Sequence, residues 1–104
     1  MEEKEEILIY FLTHQDEKVK TICEKFAISV STLYNWLKMY HYKEVKQDIT
    51  QIYSYFCQEK FLEIEKLSKD SKNNYLLELL FKYVEKYNRK LEEMIYNFKS
   101  AEWR

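Results

Sequence analysis

A chain of 104 residues has room for one hydrophobic core, or for one small domain with a helical extension, and not for two independent domains. Hydrophobic residues make up 46% and charged residues 34%, which excludes a disordered tail and suits a globular protein. The net charge of -1 does not by itself announce a nucleic-acid binder, so any argument about partners rests on how the charge is distributed.

Glycine and proline are both absent. Sheets depend on tight turns that lean on glycine, and helices are what glycine and proline disrupt, so the expected class is all-α. The charge divides along the chain. Residues 1–16 carry Glu2, Glu3, Glu5, Glu6 and Asp16 against Lys4, a net of -4. Residues 17–46 carry Lys18, Lys20, Lys25, Lys38, Lys43 and Lys46 against Glu17, Glu24 and Glu44, a net of +3. The remainder balances.

In chain order, the first predicted helix spans 3–13, with Ile7, Leu8, Tyr10, Phe11 and Leu12 on its apolar face and acids in its first turn, where the helix dipole favours them. "THQDE" interrupts the pattern, with Asp16 as the expected N-cap of the next helix. That second helix covers 17–26, with Val19, Ile22, Cys23 and Phe26 forming one buried stripe. After "AIS" a third runs over 30–41, capped by Ser29, with Leu33, Trp36, Leu37 and Tyr40 inward. Residues 44–68 read as one long amphipathic helix carrying Val45, Ile49, Ile52, Tyr53, Phe56, Ile64 and Leu67. "SKDSKNN" (68–74) reads as a loop, and a last helix covers 75–99.

In that last helix Leu80, Val84, Tyr87, Leu91, Met94 and Phe98 follow coiled-coil spacing, while Leu76, Leu77, Leu79, Phe81 and Tyr83 widen its apolar surface. A helix apolar on more than one side needs more than one partner. The fourth helix covers one side, and a second subunit is expected on the other. The predicted architecture is thus an N-terminal three-helix unit (1–43) and a two-helix antiparallel dimerisation region (44–104).

The second and third helices, joined by a three- or four-residue turn, describe a helix-turn-helix, whose second helix lies in the major groove of double-stranded DNA. Ile28 supplies an apolar plug in the turn. Short side chains at the start of the third helix let its backbone approach the duplex, and Tyr34, Asn35 and Lys38 continue the outer face. Lys18 and Lys20 on the helix before it, with Lys25, Lys38, Lys43 and Lys46, are placed to neutralise phosphates. Tyr40, His41 and Tyr42 read as a junction cluster packing the third helix on the fourth.

"VKTICEKFAISVSTLYNWLK" also resembles the helix-turn-helix of transposase-type and phage small-terminase-type domains, on the run Ile28, Ser29, Val30, Ser31, Thr32, Leu33, Tyr34, Asn35, Trp36. Its Ile-Cys and Ile-Ser-x-Ser-Thr-Leu-Tyr core is similar, second, to the DNA-binding segment of the tetracycline-repressor family. The resemblance covers about 20–30 of the 104 residues. It implies that Val30, Ser31 and Asn35 face bases and that Ser29, Thr32, Tyr34 and Lys38 contact phosphates or base edges. Two positions depart from the pattern: Ala27 stands where glycine is usual, and Val30 where a basic residue is common. Valine meets a thymine methyl and cannot pair with guanine, so reading either favours A·T-rich sites or draws little discrimination from this helix. "KMYHYKEV" is longer than the tetracycline-repressor pattern at that point, and the chain after it is too short for that family's ligand-binding domain.

Cys23 and Cys57 lie amid apolar neighbours with no C-x-x-C spacing and no histidine at metal-ligand spacing, so both are expected as buried free thiols, with no metal and no cofactor. His14 and His41 lack a nearby nucleophile or orienting carboxylate, and a glycine-free chain cannot build a phosphate-cradling loop, so an enzyme is not expected. The acidic N-terminus does not read as a signal peptide and no apolar run approaches the ~20 residues of a membrane span, so a cytoplasmic location is expected. The expectation from sequence is therefore a small bacterial or phage transcriptional regulator that binds DNA as a homodimer. A small-terminase-like ring, a truncated tetracycline-type regulator and a helical protein-docking module stand beside it.

Overall fold

The computed structural model describes the backbone of residues 3–70 and 74–102 and the side chains of 3–69 and 74–89. Six helices follow one another: α1 (Glu3–Thr13), α2 (Val19–Phe26), α3 (Val30–Met39), α4 (Tyr42–Cys57), α5 (Phe61–Asp70) and α6 (Tyr75–Glu102). No strand occurs among the described residues. The protein is all-α.

The centre of the molecule is α1. Ile7, Leu8, Ile9, Phe11 and Leu12 are all buried, so the helix is apolar around most of its circumference and needs neighbours on several sides. It packs against α2, α4 and α6. One continuous core results, joining Ile7, Leu8 and Leu12 to Ile22 and Cys23 of α2, Leu33 and Leu37 of α3, Ile49 and Ile52 of α4, Ile64 of α5 and Leu76, Leu77 and Leu80 of α6.

Three expectations from sequence are corrected here. The single helix over 44–68 is two helices. At its break the Lys60 N–H bonds the Tyr55 carbonyl at 2.9 Å and the Glu59 N–H bonds the Phe56 carbonyl at 3.1 Å, around Glu59 at φ 57°. This is a Schellman stop built without glycine. The region 44–104 therefore holds three helices rather than a two-helix appendage, and α5 folds back beside both α4 and α6.

The second correction concerns what covers the first half of α6. Leu80 and Val84, read as part of a dimer seam, are 0% and 4% exposed within this one chain. The two sides of α6 are covered by α1 on one hand and by α4 and α5 on the other. No second subunit is needed to cover Leu76, Leu77, Leu79 or Leu80. Tyr87 keeps more surface, 38%, although Phe56 packs against its ring at 5.1 Å. The side chains of Leu91, Met94 and Phe98 lie outside the described residues.

The third is the stretch 68–74. Ser68, Lys69 and Asp70 are the last turn of α5, and 71–73 lie outside the described residues. Asn74 then caps α6: its Oδ1 accepts the N–H groups of Leu76 at 2.9 Å and Leu77 at 3.3 Å. Its Nδ2 donates to the Tyr40 carbonyl at 2.9 Å, so one side chain starts α6 and ties it to the end of α3.

Candidate nucleic-acid interface

α2 ends at Phe26. Ala27 takes the left-handed conformation (φ 55°, ψ 43°), and the Ile28 N–H bonds the Cys23 carbonyl at 3.0 Å. An alanine there costs about 1 kcal/mol relative to glycine, because Cβ crowds the following carbonyl. Ile28 is half-buried against the core and plugs the turn. Ser29 is extended (φ -78°, ψ 152°), and its Oγ accepts the Thr32 N–H at 3.1 Å. The chain so reverses within three residues and starts α3 with a capped N-terminus.

Which face of α3 is free depends on its anchors. Leu33 and Leu37 are buried, and Trp36 and Tyr40 are half-buried against the same core. The opposite side therefore faces solvent: Ser29, Val30 (37% exposed), Ser31, Tyr34 (54% exposed), Asn35 and Lys38 are all exposed. Thr32 is half-buried, and its Oγ1 lies 2.7 Å from the Ser29 hydroxyl, so it serves the cap. The N–H groups of Val30 and Ser31 belong to the first turn and have no intrahelical acceptor, which leaves outward-pointing donors beside short side chains.

Lys18, Lys20 and Lys38 are exposed and form no ion pair with a described residue. Lys18 also occupies the N-cap of α2, without a side-chain bond, which replaces the expected cap at Asp16. Asp16 instead accepts the Tyr53 hydroxyl at 3.3 Å and links the α1–α2 turn to α4. Lys25 is engaged elsewhere, its Nζ 4.5 Å from the centroid of the Tyr10 ring.

The junction tyrosines stabilise the scaffold rather than a surface. Tyr40 packs on Tyr75 of α6 at 4.3 Å between centroids. Tyr42 sits edge-on to Phe11 of α1 at 5.2 Å and donates to the Gln15 side chain at 3.3 Å. They thus join α3 and α4 to α6 and α1, beyond the α3–α4 contact expected of them. His41, between them, is exposed and left-handed at φ 58°.

Both cysteines are free. Cys23 is buried, and burial pushes its thiol pKa up; Cys57 is exposed, against the expectation of burial. No group of three or more His, Cys, Asp or Glu side chains among the described residues could hold a metal ion. Among the described residues no helix is long and apolar enough to cross a membrane.

Sequence reasoning overlooked Asn74, although a polar capping residue directly before "YLLELL" is a signal that could have found it. No protein-family model matches the chain, and no curated protein or solved structure matches it either.

Proposed function

We propose that the protein is a sequence-specific binder of double-stranded DNA that inserts α3 into the major groove and serves in transcriptional regulation. The observation that carries this reading is the two-sidedness of α3: one side is locked by Leu33 and Leu37, while its first turn and the line through Tyr34, Asn35 and Lys38 stay uncovered. A groove-reading helix requires that combination, because the duplex must meet short side chains and free backbone donors on a helix that cannot roll.

In this reading Val30, Ser31 and Asn35 face base edges, Asn35 having the geometry to pair bidentately with adenine. Ser29, Tyr34 and Lys38 contact the backbone or base edges, and Lys18 and Lys20 neutralise flanking phosphates. Thr32 contributes through the Ser29 cap. Two copies spaced one helical turn apart supply the affinity that a single small recognition helix lacks, so a homodimer belongs to the proposal. Its surface is not the Leu80 and Val84 seam, which the monomer core already uses.

The test is a fluorescence-anisotropy titration of a labelled A·T-rich random duplex at roughly 50 and 200 mM salt. Binding that weakens steeply with salt is the expected result. Absence of binding at both concentrations would move the assignment to a protein-docking module. Native mass spectrometry adds the stoichiometry: two subunits agree with paired half-sites, and a closed ring of many subunits with small-terminase-like recognition.

A further inference from the structure

An open cavity of about 470 Å³ is bounded by α1, the end of α2 and α6. Its size falls within the range of small-molecule sites. One wall is a fixed aromatic stack. The His14 ring lies parallel to Tyr10 at 3.8 Å and 9°, Phe26 meets Tyr10 edge-on at 5.2 Å, and Lys25 covers Tyr10 at 4.5 Å. The Tyr10 hydroxyl is tied to Glu17. The opposite wall is Tyr83 and Tyr87 of α6, each braced by Phe56 of α4 at 5.8 and 5.1 Å. Rings braced by their neighbours line the open space, and little side-chain entropy remains to be lost on filling it.

The polar groups of the slot set its preference. His14 Nδ1 lies 2.9 Å from the Tyr10 carbonyl, which can only accept, so Nδ1 carries the hydrogen. In the neutral ring Nε2 is then a lone-pair acceptor, and among the described residues nothing bonds it. The Glu6 carboxylate and the Lys86 side chain also line the slot, and neither makes an ion pair with a described residue. Of these polar groups His14 Nε2 and Glu6 are acceptors beside aromatic rings, a pairing that suits a flat aromatic molecule carrying a hydrogen-bond donor.

We infer that the slot between α1 and α6 binds a planar aromatic or heteroaromatic small molecule, held between the Tyr10–His14 stack and Tyr83–Tyr87, with an N–H or O–H directed to His14 Nε2 or Glu6. No residue of α3 lines the site, and its occupancy is measured on the protein alone, so it stands or falls separately from the DNA reading.

The probes are indole, which has one N–H donor, and N-methylindole, which has the same flat ring and none. Amide NMR titration of the full chain is expected to show saturable shifts with indole, concentrated at 10–14, at Phe26 and at 83–87. N-methylindole is expected to bind about 3- to 10-fold more weakly, the worth of one hydrogen bond. His14→Phe keeps a ring on Tyr10 and removes the acceptor, so the preference for indole over N-methylindole should disappear. Tyr83→Ser should weaken both probes, with the amide spectrum of the free variant confirming its fold. Shifts that fail to saturate, that map outside the slot, or that are equal for the two probes in the parent chain would overturn the inference.

Discussion

The Ile28 N–H and the Cys23 carbonyl are 3.0 Å apart, and this bond, spanning the end of α2, closes the turn that sets α3 at its angle. Between them Ala27 holds a left-handed backbone that glycine would hold with less strain. Ala27→Gly should therefore stabilise the protein by about 0.5–1 kcal/mol, although the same change inside a helix would destabilise it. Urea unfolding checks this, with a higher midpoint at an unchanged slope as the expected result. A lower midpoint would show that the left-handed turn is not what limits stability there.

Leu80 is fully buried within one chain. Leu80→Ala should cost about 2–5 kcal/mol, through lost transfer energy and the cavity left behind. Because the partners of Leu80 are this chain's own residues, the loss should be the same at low and high protein concentration. A midpoint that shifts with concentration in the parent but not in the variant would return Leu80 to an interface between copies.

Asn35 and Lys38 lie one turn apart in the sense of i, i+3 on the exposed side of α3, yet their expected contributions differ in kind. Asn35→Ala should relax sequence preference and cost roughly 1–3 kcal/mol at the cognate site. Lys38→Ala should weaken binding to all sequences about equally and reduce the salt slope by about one. Competition titrations with cognate and random duplexes at several salt concentrations separate the two. Equal losses that ignore salt in both variants would remove these roles.

Alkaline pH should unfold the protein more readily than its composition suggests. Burial raises the Cys23 thiol and the Tyr42 phenol above their ordinary values of 9.0 and 10.0, and Tyr53 is pushed up to about 12, first by its hydrogen bond with Cys57 and then by burial and the Asp16 charge. Each group keeps its proton in the folded chain after the unfolded chain has released it. The folded state then binds more protons, so stability is fully present below about pH 9 and declines as pH rises through the raised values. Urea midpoints at about pH 7, 9 and 10.5 should fall in that order over the last interval, and Tyr53→Phe should flatten the fall. A midpoint unchanged to about pH 10.5 would contradict the assignment.

Much of this fold is legible in the residues alone. The absence of glycine and proline already pointed to helices, and the spacing of Val19, Ile22, Cys23 and Phe26, then of Leu33 and Leu37, marks which sides of α2 and α3 turn inward. The bend at Ala27–Ser29 is signalled by Ser29, a strong N-cap, since the apolar spacing itself continues from Phe26 to Leu33 without a change of phase. By elimination, the exposed line through Val30, Ser31, Tyr34, Asn35 and Lys38 is also a property of sequence.

Tertiary structure alone decided which apolar face meets which. Periodicity shows that α6 has surface to bury on more than one side, but it is silent on whether α1 or a second copy covers it. The answer depended on α5 folding back, and so on the break at Gln58–Lys60, where a glutamate holds the left-handed position that glycine usually announces. With no glycine to mark it, "CQEKF" reads as helix. Only the packing of Phe56 against Phe61, Tyr83 and Tyr87 shows why the chain turns there: the reversal brings four aromatic rings together, and their mutual packing offsets the local strain.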